Sequence, residues 1–434
     1  MSTRRPPSDS RGQPGARGRG DSSLRFEDQP ARLRCQYFEA GRCRSCSLIE
    51  TPYETQLSAK QSRCRELLPQ LPGEAWLPAF SGGDRGFRNR AKLVVGGMAG
   101  AVTLGILGPD GRGVDLRECA IQAPGIAAVI PVLARFVEST GLPPYDVPAR
   151  KGELKFVHVT LAPTGELMLR FVVRTQYGLD VLRSRLASLR EAVPEAGVIS
   201  VNLLPEHRAA LEGQREELLL GESLPMLLGL PAHPLTLHLR PQSFFQTNTA
   251  VARELYAQVA AWVAAARPRS LWDLYCGVGG FALHAAAALT LGTGSASVAS
   301  SGEDRRACAV LGVELSEAAI ESARRSSAEA GLDARFEAAD ATAFALAAEC
   351  DELPELLIVN PPRRGIGAAL AEWIEGSGIA TVVYSSCNPE SLARDLEAMP
   401  SYAVREGRVF DMFPHTSHLE VAVLLERRSP HAQF

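Results

Sequence analysis

Residues 271–281 contain the pattern that most restricts how this chain can fold: an apolar run, a glycine-rich turn and the start of a helix. The turn reads Asp-Leu-Tyr-Cys-Gly-Val-Gly-Gly over residues 273–280. Glycines let the backbone approach a bound molecule, and the amino end of a helix presents free N–H groups. The pattern predicts a strand, a tight turn and a helix over 281–291, although such a turn can also be purely structural.

Four further apolar runs follow this glycine turn at intervals that leave room for helices. They cover residues 310–313, 334–339, 356–359 and 381–385. Alternating strands and helices indicate an α/β fold with a doubly wound parallel sheet. Because such sheets bind ligands at the carboxyl ends of their strands, the residues that follow each run are candidates for a functional site.

Polar side chains stand at these strand ends. Asp273 and Tyr275 flank the glycine turn, and Glu314 is placed to accept hydrogen bonds from ribose hydroxyls. Glu314 comes later than is usual after such a turn because residues 292–306 form a Gly/Ser/Ala-rich insertion, typical of a solvated loop. Asn360 precedes two prolines that keep the chain extended and out of a helix.

Cys387 closes the last apolar run, within Ser386-Cys387-Asn388. A cysteine at the carboxyl end of a buried strand, on a domain with a glycine-rich loop, suggests a thiolate nucleophile beside a bound cofactor. Uracil chemistry needs that combination, since carbon 5 accepts a methyl group from a sulfonium donor only after a thiolate has added to carbon 6. The alternative is that Cys387 is a small buried hydrophobic residue.

These stretches resemble the family of 5-methyluridine RNA methyltransferases that use S-adenosylmethionine. The resemblance covers roughly residues 33–427, and besides the glycine turn it is carried by residues 240–248, 360–363, 385–388 and 413–420. It implies that Cys387 attacks carbon 6 and that Glu420 removes the proton from carbon 5. It also implies four residues that bind the methyl donor: Gln246, Tyr275, Glu314 and Asn360. Tyr275 stands where phenylalanine is common, so an aromatic ring is kept.

The resemblance favours 23S ribosomal RNA as the substrate, although members that act on a transfer RNA uridine share the same motifs. Two other interpretations are weaker. An amino-group methyltransferase needs an aromatic residue after Asn-Pro-Pro, where this chain has Arg363. A non-catalytic iron-sulfur or zinc RNA-binding protein would not need both Cys387 and Glu420.

Three cysteines stand within twelve residues near the amino terminus, Cys35, Cys43 and Cys46, with Cys119 further on. The absence of an amino-terminal apolar segment resembling a signal peptide argues for a reducing cytoplasm and against disulfides. The spacing suggests metal, with zinc and an iron-sulfur cluster both compatible with four cysteines and chance clustering as the alternative. The family resemblance favours a [4Fe-4S] cluster held by these four residues.

The net charge of −3 is unevenly distributed. Residues 1–30 hold six arginines against four acids, and residues 31–125 hold thirteen Lys/Arg against nine acids. A basic amino-terminal part is the electrostatic signature expected for contacts with RNA phosphates. Within it, residues 87–92 read Phe-Arg-Asn-Arg-Ala-Lys, where Phe87 would either stack on a base or pack in the core.

Composition divides the chain into three parts. Residues 1–30 lack periodicity and are predicted to be a disordered basic tail. No apolar run approaches the ~18 residues of a membrane span, so a cytoplasmic protein is expected, and no protein partner is implied. The remaining predicted parts are an α+β iron-sulfur and RNA-recognition domain over 31–240, with a cysteine-rich part 31–125 and a central part 126–240, and a Rossmann-like catalytic domain over 241–434.

Overall fold

The structure is a computed structural model that describes residues 32–98, 100–207, 210–229, 233–293 and 308–428. The predicted basic tail over 1–30 lies outside the described residues. So does the insertion predicted over 292–306, apart from its first two residues, which end a helix.

Helices and strands alternate through most of the described chain. The helices are α1 (Gln36–Glu39), α2 (Tyr53–Leu67), α3 (Pro124–Thr140), α4 (Gln176–Ser184), α5 (Leu186–Ala192), α6 (Thr249–Ala266), α7 (Gly280–Thr293), α8 (Glu317–Ala330), α9 (Ala341–Ala347), α10 (Ala368–Ser377) and α11 (Pro389–Glu397). The strands are β1 (Arg90–Met98), β2 (Ala101–Leu107), β3 (Gly113–Asp115), β4 (Leu154–Leu161), β5 (Leu167–Val173), β6 (Ala196–Leu203), β7 (Arg215–Leu220), β8 (Leu224–Leu227), β9 (Thr236–Leu239), β10 (Ser270–Leu274), β11 (Ala309–Glu314), β12 (Ala334–Ala338), β13 (Leu356–Val359), β14 (Thr381–Ser386), β15 (Tyr402–Phe410) and β16 (Glu420–Arg427).

The first seven strands form a mixed sheet in the order β3-β2-β1-β4-β5-β6-β7, in which only β5 and β6 are parallel neighbours. One face packs against α3, α4 and α5 around a core that includes Ile130, Leu169 and Leu179. On the other face, Met168 and Val198 belong to the core that also contains α6 and α7. The predicted α+β character of this part is confirmed, while the domain boundaries stay predictions.

The second sheet has the order β12-β11-β10-β13-β14-β16-β15. Its first five strands are parallel neighbours, and β16 and then β15 continue it in antiparallel fashion. The parallel strands match the five apolar runs of the sequence, so the predicted doubly wound α/β fold is confirmed. The polar residue after each run therefore lies at one edge of this sheet.

Four helices of this part, α6, α8, α9 and α11, begin at side-chain caps. Asn248 accepts a hydrogen bond from the N–H of Val251 before α6, and Ser316 and Asn388 cap α8 and α11 in the same way. Such caps satisfy backbone N–H groups that have no partner inside the helix. They fix where each helix starts, and so fix the length of the loops that carry the candidate site.

Helix α2 and the residues after it pack on the second sheet, although they precede the first sheet in the sequence. Cys64, Leu68 and Trp76 belong to the same buried core as Val421 and Leu425. Two short bridges continue this contact, pairing Trp76 with Gly407 and Phe80 with Phe410 of β15. Within the described residues, no helix is long and apolar enough to cross a membrane.

Candidate active site

The glycine turn between β10 and α7 contains three residues with unusual backbone conformations. Tyr275, Gly277 and Gly279 all have positive φ, at 64°, 54° and 82°. The side chain of Glu314, at the end of β11, contacts this turn and accepts a hydrogen bond from the N–H of Gly277 at 3.3 Å. A positive φ in a residue such as tyrosine is uncommon and marks a backbone that its surroundings determine.

Asp273 is a buried carboxyl beneath this turn. Its Oδ2 accepts a hydrogen bond from the N–H of Ala282 at 2.9 Å, while Oδ1 has no partner among the described residues. Burial raises the pKa of Asp273 to about 8, against the effect of that hydrogen bond. Since a buried polar atom without a partner is costly, this oxygen is available to a donor from a bound molecule.

Three of the four predicted donor-binding residues follow neighbouring strands of the second sheet. Tyr275 follows β10, Glu314 ends β11 and Asn360 follows β13. The hydroxyl of Tyr275 lies 3.0 Å from the hydroxyl of Thr342, and the N–H of Asn360 donates to Leu274 at 3.3 Å. The structure therefore brings these three residues to one edge, where parallel sheets bind ligands.

Gln246, the fourth predicted donor-binding residue, lies in the loop before α6 and is buried. Its backbone oxygen accepts a hydrogen bond from Nδ2 of Asn89 at 3.1 Å. Helix α6 packs on α7, and the ring of Tyr256 lies against Gly280 so closely that a Cβ there would approach within 2.6 Å. Gln246 is thus attached to the element that packs beside the glycine turn.

Cys387 and Glu420 are brought together by the antiparallel pairing of β14 with β16. The last registered pair is Ser386 with Val421, so the next residues outward on the two strands are Cys387 and Glu420. Burial raises the pKa of Cys387, and the carboxylate of Glu420 raises it further. The thiol and the carboxyl therefore share one site, although 32 residues separate them in the sequence.

The Glu420 carboxyl is almost completely buried, and Oε1 accepts a hydrogen bond from the hydroxyl of Ser385 at 2.7 Å. Burial raises the pKa of Glu420 to about 7, and the hydrogen bond from Ser385 opposes the rise. A carboxyl with a pKa near the working pH is suited to accept and release a proton.

Arg363 opposes the rise in the pKa of Cys387 through its charge and a hydrogen bond to the thiol. The loop that carries it is fixed from α11, because Nδ2 of Asn388 donates to the Arg363 oxygen at 3.0 Å and Asp395 accepts from the N–H of Ile366 at 2.9 Å. A cation held beside a thiol favours the thiolate, which is the reactive form.

A cavity of about 200 Å³ opens onto Cys387. It is lined by Arg63, Arg363, Cys387, Asn388, Pro389, Ser417, His418 and Leu419. Arg63 belongs to α2 and was missed by the sequence reasoning, as were Ser417 and His418, which stand inside the segment 413–420 that carried the family resemblance. That resemblance assigned a role only to Glu420.

Comparison with known proteins agrees with this geometry. Residues 228–428 match the family model described as tRNA (Uracil-5-)-methyltransferase. A 23S rRNA (uracil(747)-C(5))-methyltransferase from Halothiobacillus neapolitanus is 44% identical over 400 residues, which are 91% of this chain and 100% of the relative. The chain belongs to the family of RNA uracil-C5 methyltransferases. The predicted family and the prediction of an enzyme are confirmed.

Two further proteins that are described as uracil-C5 methyltransferases also resemble this chain. A relative of the same description from Shewanella amazonensis is 44% identical over 91% of this chain and 97% of its own length. The solved tRNA (uracil-54, C5)-methyltransferase of Pyrococcus abyssi, in complex with S-adenosyl-L-homocysteine, superposes with a TM-score of 0.70 at 25% identity. The superposition covers 92% of this chain and 87% of that one, so the methyltransferase fold extends over both sheets.

The methyltransferase also brings its four predicted metal-binding cysteines together. Burial, followed by the charges of Cys119, Cys43 and Cys35, raises the pKa of Cys46 to about 12. Cys35, Cys46 and Cys119 also pack around the same small apolar cluster of Leu33, Ile49 and Ile121. Chain segments more than seventy residues apart therefore meet at one group of thiols.

Nevertheless, no group of three or more His, Cys, Asp or Glu side chains in the described part of the chain is arranged closely enough to hold a metal ion. A single ion such as Zn²⁺ draws its ligands to ~2.3 Å, whereas a [4Fe-4S] cluster is several atoms across and separates its ligands more widely. The predicted iron-sulfur site is thus shown only as a grouping of four cysteines.

The basic segment 87–92 joins the two sheets of the methyltransferase more than it faces solvent. Phe87 packs beside the cysteines, which is the core alternative of the two considered for it. Arg90 donates to the backbone oxygens of Ser243 and Pro241 at 3.0 and 3.3 Å. Of the basic residues in this segment, only Lys92 is exposed.

Proposed function

We propose that this methyltransferase transfers a methyl group from S-adenosylmethionine to carbon 5 of a uridine in 23S ribosomal RNA. The meeting of the Cys387 thiol and the Glu420 carboxyl at the end of β14 and the start of β16 carries the proposal. The choice of RNA is supported by relatives that are described as 23S rRNA enzymes and that match this chain over their whole length.

Gln246, Tyr275, Glu314 and Asn360 would hold S-adenosylmethionine at the edge of the second sheet. The edge fits such a ligand, because Asp273 Oδ1 has no partner among the described residues and a Cβ at Gly277 of the glycine turn would meet nothing within 4 Å. Bound there, the sulfonium supplies the methyl group that carbon 5 receives.

Each remaining step belongs to residues of this chain. The Cys387 thiolate forms a bond to carbon 6, and the electron pair of the ring double bond moves onto the carbonyl as an enolate. Carbon 5 then takes the methyl group. Glu420 accepts the carbon 5 proton, and the sulfur–carbon 6 bond breaks so that the ring double bond re-forms and the thiolate returns.

The cavity beside Cys387 would receive the base. A uracil inside a helical RNA stem is stacked, so the enzyme takes a base that is flipped out or already looped out. Arg63 and Arg363 line the entrance and supply positive charge for the neighbouring phosphates.

Cys35, Cys43, Cys46 and Cys119 would hold a [4Fe-4S] cluster. Burial, and then the charges of neighbouring cysteines, raise the pKa of Cys46 and of Cys119, and metal binding offsets this because it favours the thiolate form. The positive charge of Arg88 lies close to Cys119 and Cys46. The cluster adds no step to the reaction. Anaerobically purified protein should contain iron and sulfide, and Cys46→Ser should lose both; colourless protein with stoichiometric zinc would contradict the assignment.

Mass spectrometric mapping of 5-methyluridine in ribosomal and transfer RNA, from cells with and without this gene, tests the substrate. Loss of one 23S site is expected, whereas loss of a transfer RNA site would overturn the choice of RNA. The chemistry is tested separately with labelled RNA on denaturing gels. Glu420→Gln should accumulate a covalent RNA adduct and Cys387→Ala should form none, with Glu426→Gln on the same strand and the exposed Cys350→Ala as matched controls.

A further inference from the structure

Helix α2 carries a row of polar side chains, of which Gln56 and Lys60 are buried. Tyr53, Gln56, Lys60 and Arg63 recur at helical spacing on one face, and each donates a hydrogen bond to the segment between β15 and β16. A helix normally packs on a sheet through an apolar stripe. This face of α2 therefore makes specific polar contacts instead of apolar packing. The segment that it contacts, residues 411–419, is called the 411–419 loop below.

His415 is the most tightly held residue of the 411–419 loop. Oε1 of Gln56 accepts its backbone N–H at 2.9 Å, and its backbone oxygen accepts the N–H of Leu48 at 2.9 Å. In the ring, Nε2–H donates to the oxygen of Asp84 at 2.8 Å, which leaves Nδ1 to accept from Nε2 of Gln56 at 3.3 Å. All four polar atoms of His415 are bound by residues from the first ninety of the chain.

The backbone of His415 is strained at the same place, with a φ of 64°. A left-handed conformation in a residue with a side chain persists only where the surroundings impose it. Gln56 is itself completely buried and also donates to the oxygens of Leu48 and Thr51 at 3.0 and 2.8 Å. These two bonds fix the position of the Gln56 side chain independently of its contacts with His415.

Lys60 and Tyr53 hold the start of the 411–419 loop. Nζ of Lys60 lies 2.6 Å from Oδ1 of Asp411 and 3.1 Å from the oxygen of Phe413, and the hydroxyl of Tyr53 donates to Oδ2 of Asp411 at 2.8 Å. Lys60 and Asp411 are both buried. A buried ion pair adds little net stability compared with apolar packing, so its value lies in fixing a particular geometry.

The 411–419 loop leads directly into Glu420 and contributes Ser417 and His418 to the wall of the Cys387 cavity. Arg63, the last polar residue of the row, pairs with Glu390 of α11 and lines that cavity too. The row on α2 thus runs alongside the loop as far as the candidate active site.

We propose that Gln56 is a positioning residue for Glu420, acting through His415 and the 411–419 loop, and that α2 holds this loop in the geometry that proton removal requires. The proposal rests on the roles given above to Cys387 and Glu420. Because Leu48 also bonds His415, the segment that carries Cys35, Cys43 and Cys46 is attached to the same loop. Gln56 touches neither the cysteine thiols nor the reacting groups in the contacts of the structure.

The test compares Gln56→Leu with Gln61→Leu, the same change on the same helix at a glutamine that bonds the oxygen of Leu77 instead of the loop. Gln56→Leu should lower kcat on the order of 10²-fold, as misplacement of a catalytic group does. Affinity for S-adenosylmethionine, measured by calorimetry, should not change. The covalent RNA adduct should accumulate, because addition and methyl transfer proceed while proton removal is slow. Gln61→Leu should show no adduct.

Gln56→Asn provides a milder variant, since the shorter amide keeps an acceptor for the N–H of His415 and donors for the oxygens of Leu48 and Thr51, and should restore part of the elimination rate. Glu420→Gln is run in parallel. An adduct with Glu420→Gln but none with either Gln56 variant would overturn the positioning role alone. No adduct with Glu420→Gln would instead overturn the proposed chemistry. Equal loss of donor binding, RNA binding and thermal stability in Gln56→Leu would mean that the contact is merely structural.

Discussion

At the scale of residues, the candidate site combines two acidic groups whose pKa values are both raised. Burial raises the pKa of Cys387 and of Glu420 alike, and the negative charge of Glu420 raises the pKa of Cys387 further. Arg363 works in the opposite sense on the thiol. Both groups therefore keep their protons to a higher pH than usual, and the positive charge of Arg363 is what favours the Cys387 thiolate.

Arg363→Met should shift the pH dependence of methyl transfer. The wild-type rate of methyl transfer should rise with pH, because this step needs the Cys387 thiolate, which forms as pH increases. Without the arginine the pKa of Cys387 rises further, so the rising limb moves to higher pH, while Arg363→Lys should keep part of the effect. Single-turnover rates across pH measure it, and an unshifted limb would show that the arginine does not activate the thiol.

Glu420→Gln should stabilise the protein at alkaline pH. The folded pKa of about 7 lies above that of an unfolded glutamate, so the carboxyl contributes stability fully below about pH 4.3, and this contribution is lost as pH rises through 7. The neutral amide avoids that loss, which is worth about 4 kcal/mol at most. Thermal melting should show a larger gain at pH 8 than at pH 5, and Glu426→Gln, at an exposed ion pair, should show no such difference.

At the scale of elements, the Arg363 loop is positioned by α11. Asp395 of that helix is buried, accepts from the hydroxyl of Tyr384 at 2.7 Å and accepts from the N–H of Ile366. Gly365 has a φ of 85°, and a Cβ there would approach Oδ2 of Asp395 to 2.2 Å. The loop therefore needs glycine both for its backbone conformation and for this close approach.

Gly365→Ala should lower both stability and kcat. Gly367 is the matched control, because it too has a positive φ of 78° but a Cβ there meets nothing within 4 Å. Both variants should lose about 1–3 kcal/mol from backbone strain, and only Gly365→Ala should also displace Arg363. Denaturant titration and single-turnover kinetics separate the two effects; equal kcat values in both variants would contradict the positioning by Asp395.

The sequence alone was sufficient for the parallel strands of the second sheet, since each is a continuous apolar run with a polar residue at its end, as at Glu314 and Asn360. It was not sufficient for the pairing of β16 between β14 and β15, which depends on long-range packing and places Glu420 beside Cys387. The family resemblance supplied that residue instead. The polar row on α2 was also missed, because polar residues that recur at helical spacing normally indicate a solvated face.

At the scale of the whole molecule, the two sheets are linked through the loop that is proposed to bind the methyl donor, the one that carries Gln246. Asn89, just before β1, donates through Nδ2 to the oxygen of Gln246 and to the hydroxyl of Thr249, at 3.1 and 2.7 Å. Its backbone N–H donates to the oxygen of Thr247 at 2.9 Å. The two parts of the chain therefore meet at the segment that carries Gln246.

Asn89→Leu should weaken binding of S-adenosylmethionine by about tenfold, since buried backbone groups of the Gln246 loop lose their partners at a cost of about 1–3 kcal/mol. Asn202→Leu makes the same change at an equally buried amide inside the first sheet, which bonds Gly213 and Arg215. It should lower the melting temperature with no change in donor affinity. Calorimetry with the donor distinguishes them, and equal affinities would contradict this link.

The row on α2 also determines when the chain can complete its fold during synthesis. Tyr53, Gln56 and Lys60 bond residues 358, 359 and 351 positions later in the chain. Their partners therefore leave the ribosome only after about 350 further residues have been made, and such long-range contacts form slowly. A nascent chain that stops before residue 411 leaves the polar face of α2 without those partners, so the active site is assembled only after translation has passed the 411–419 loop and Glu420.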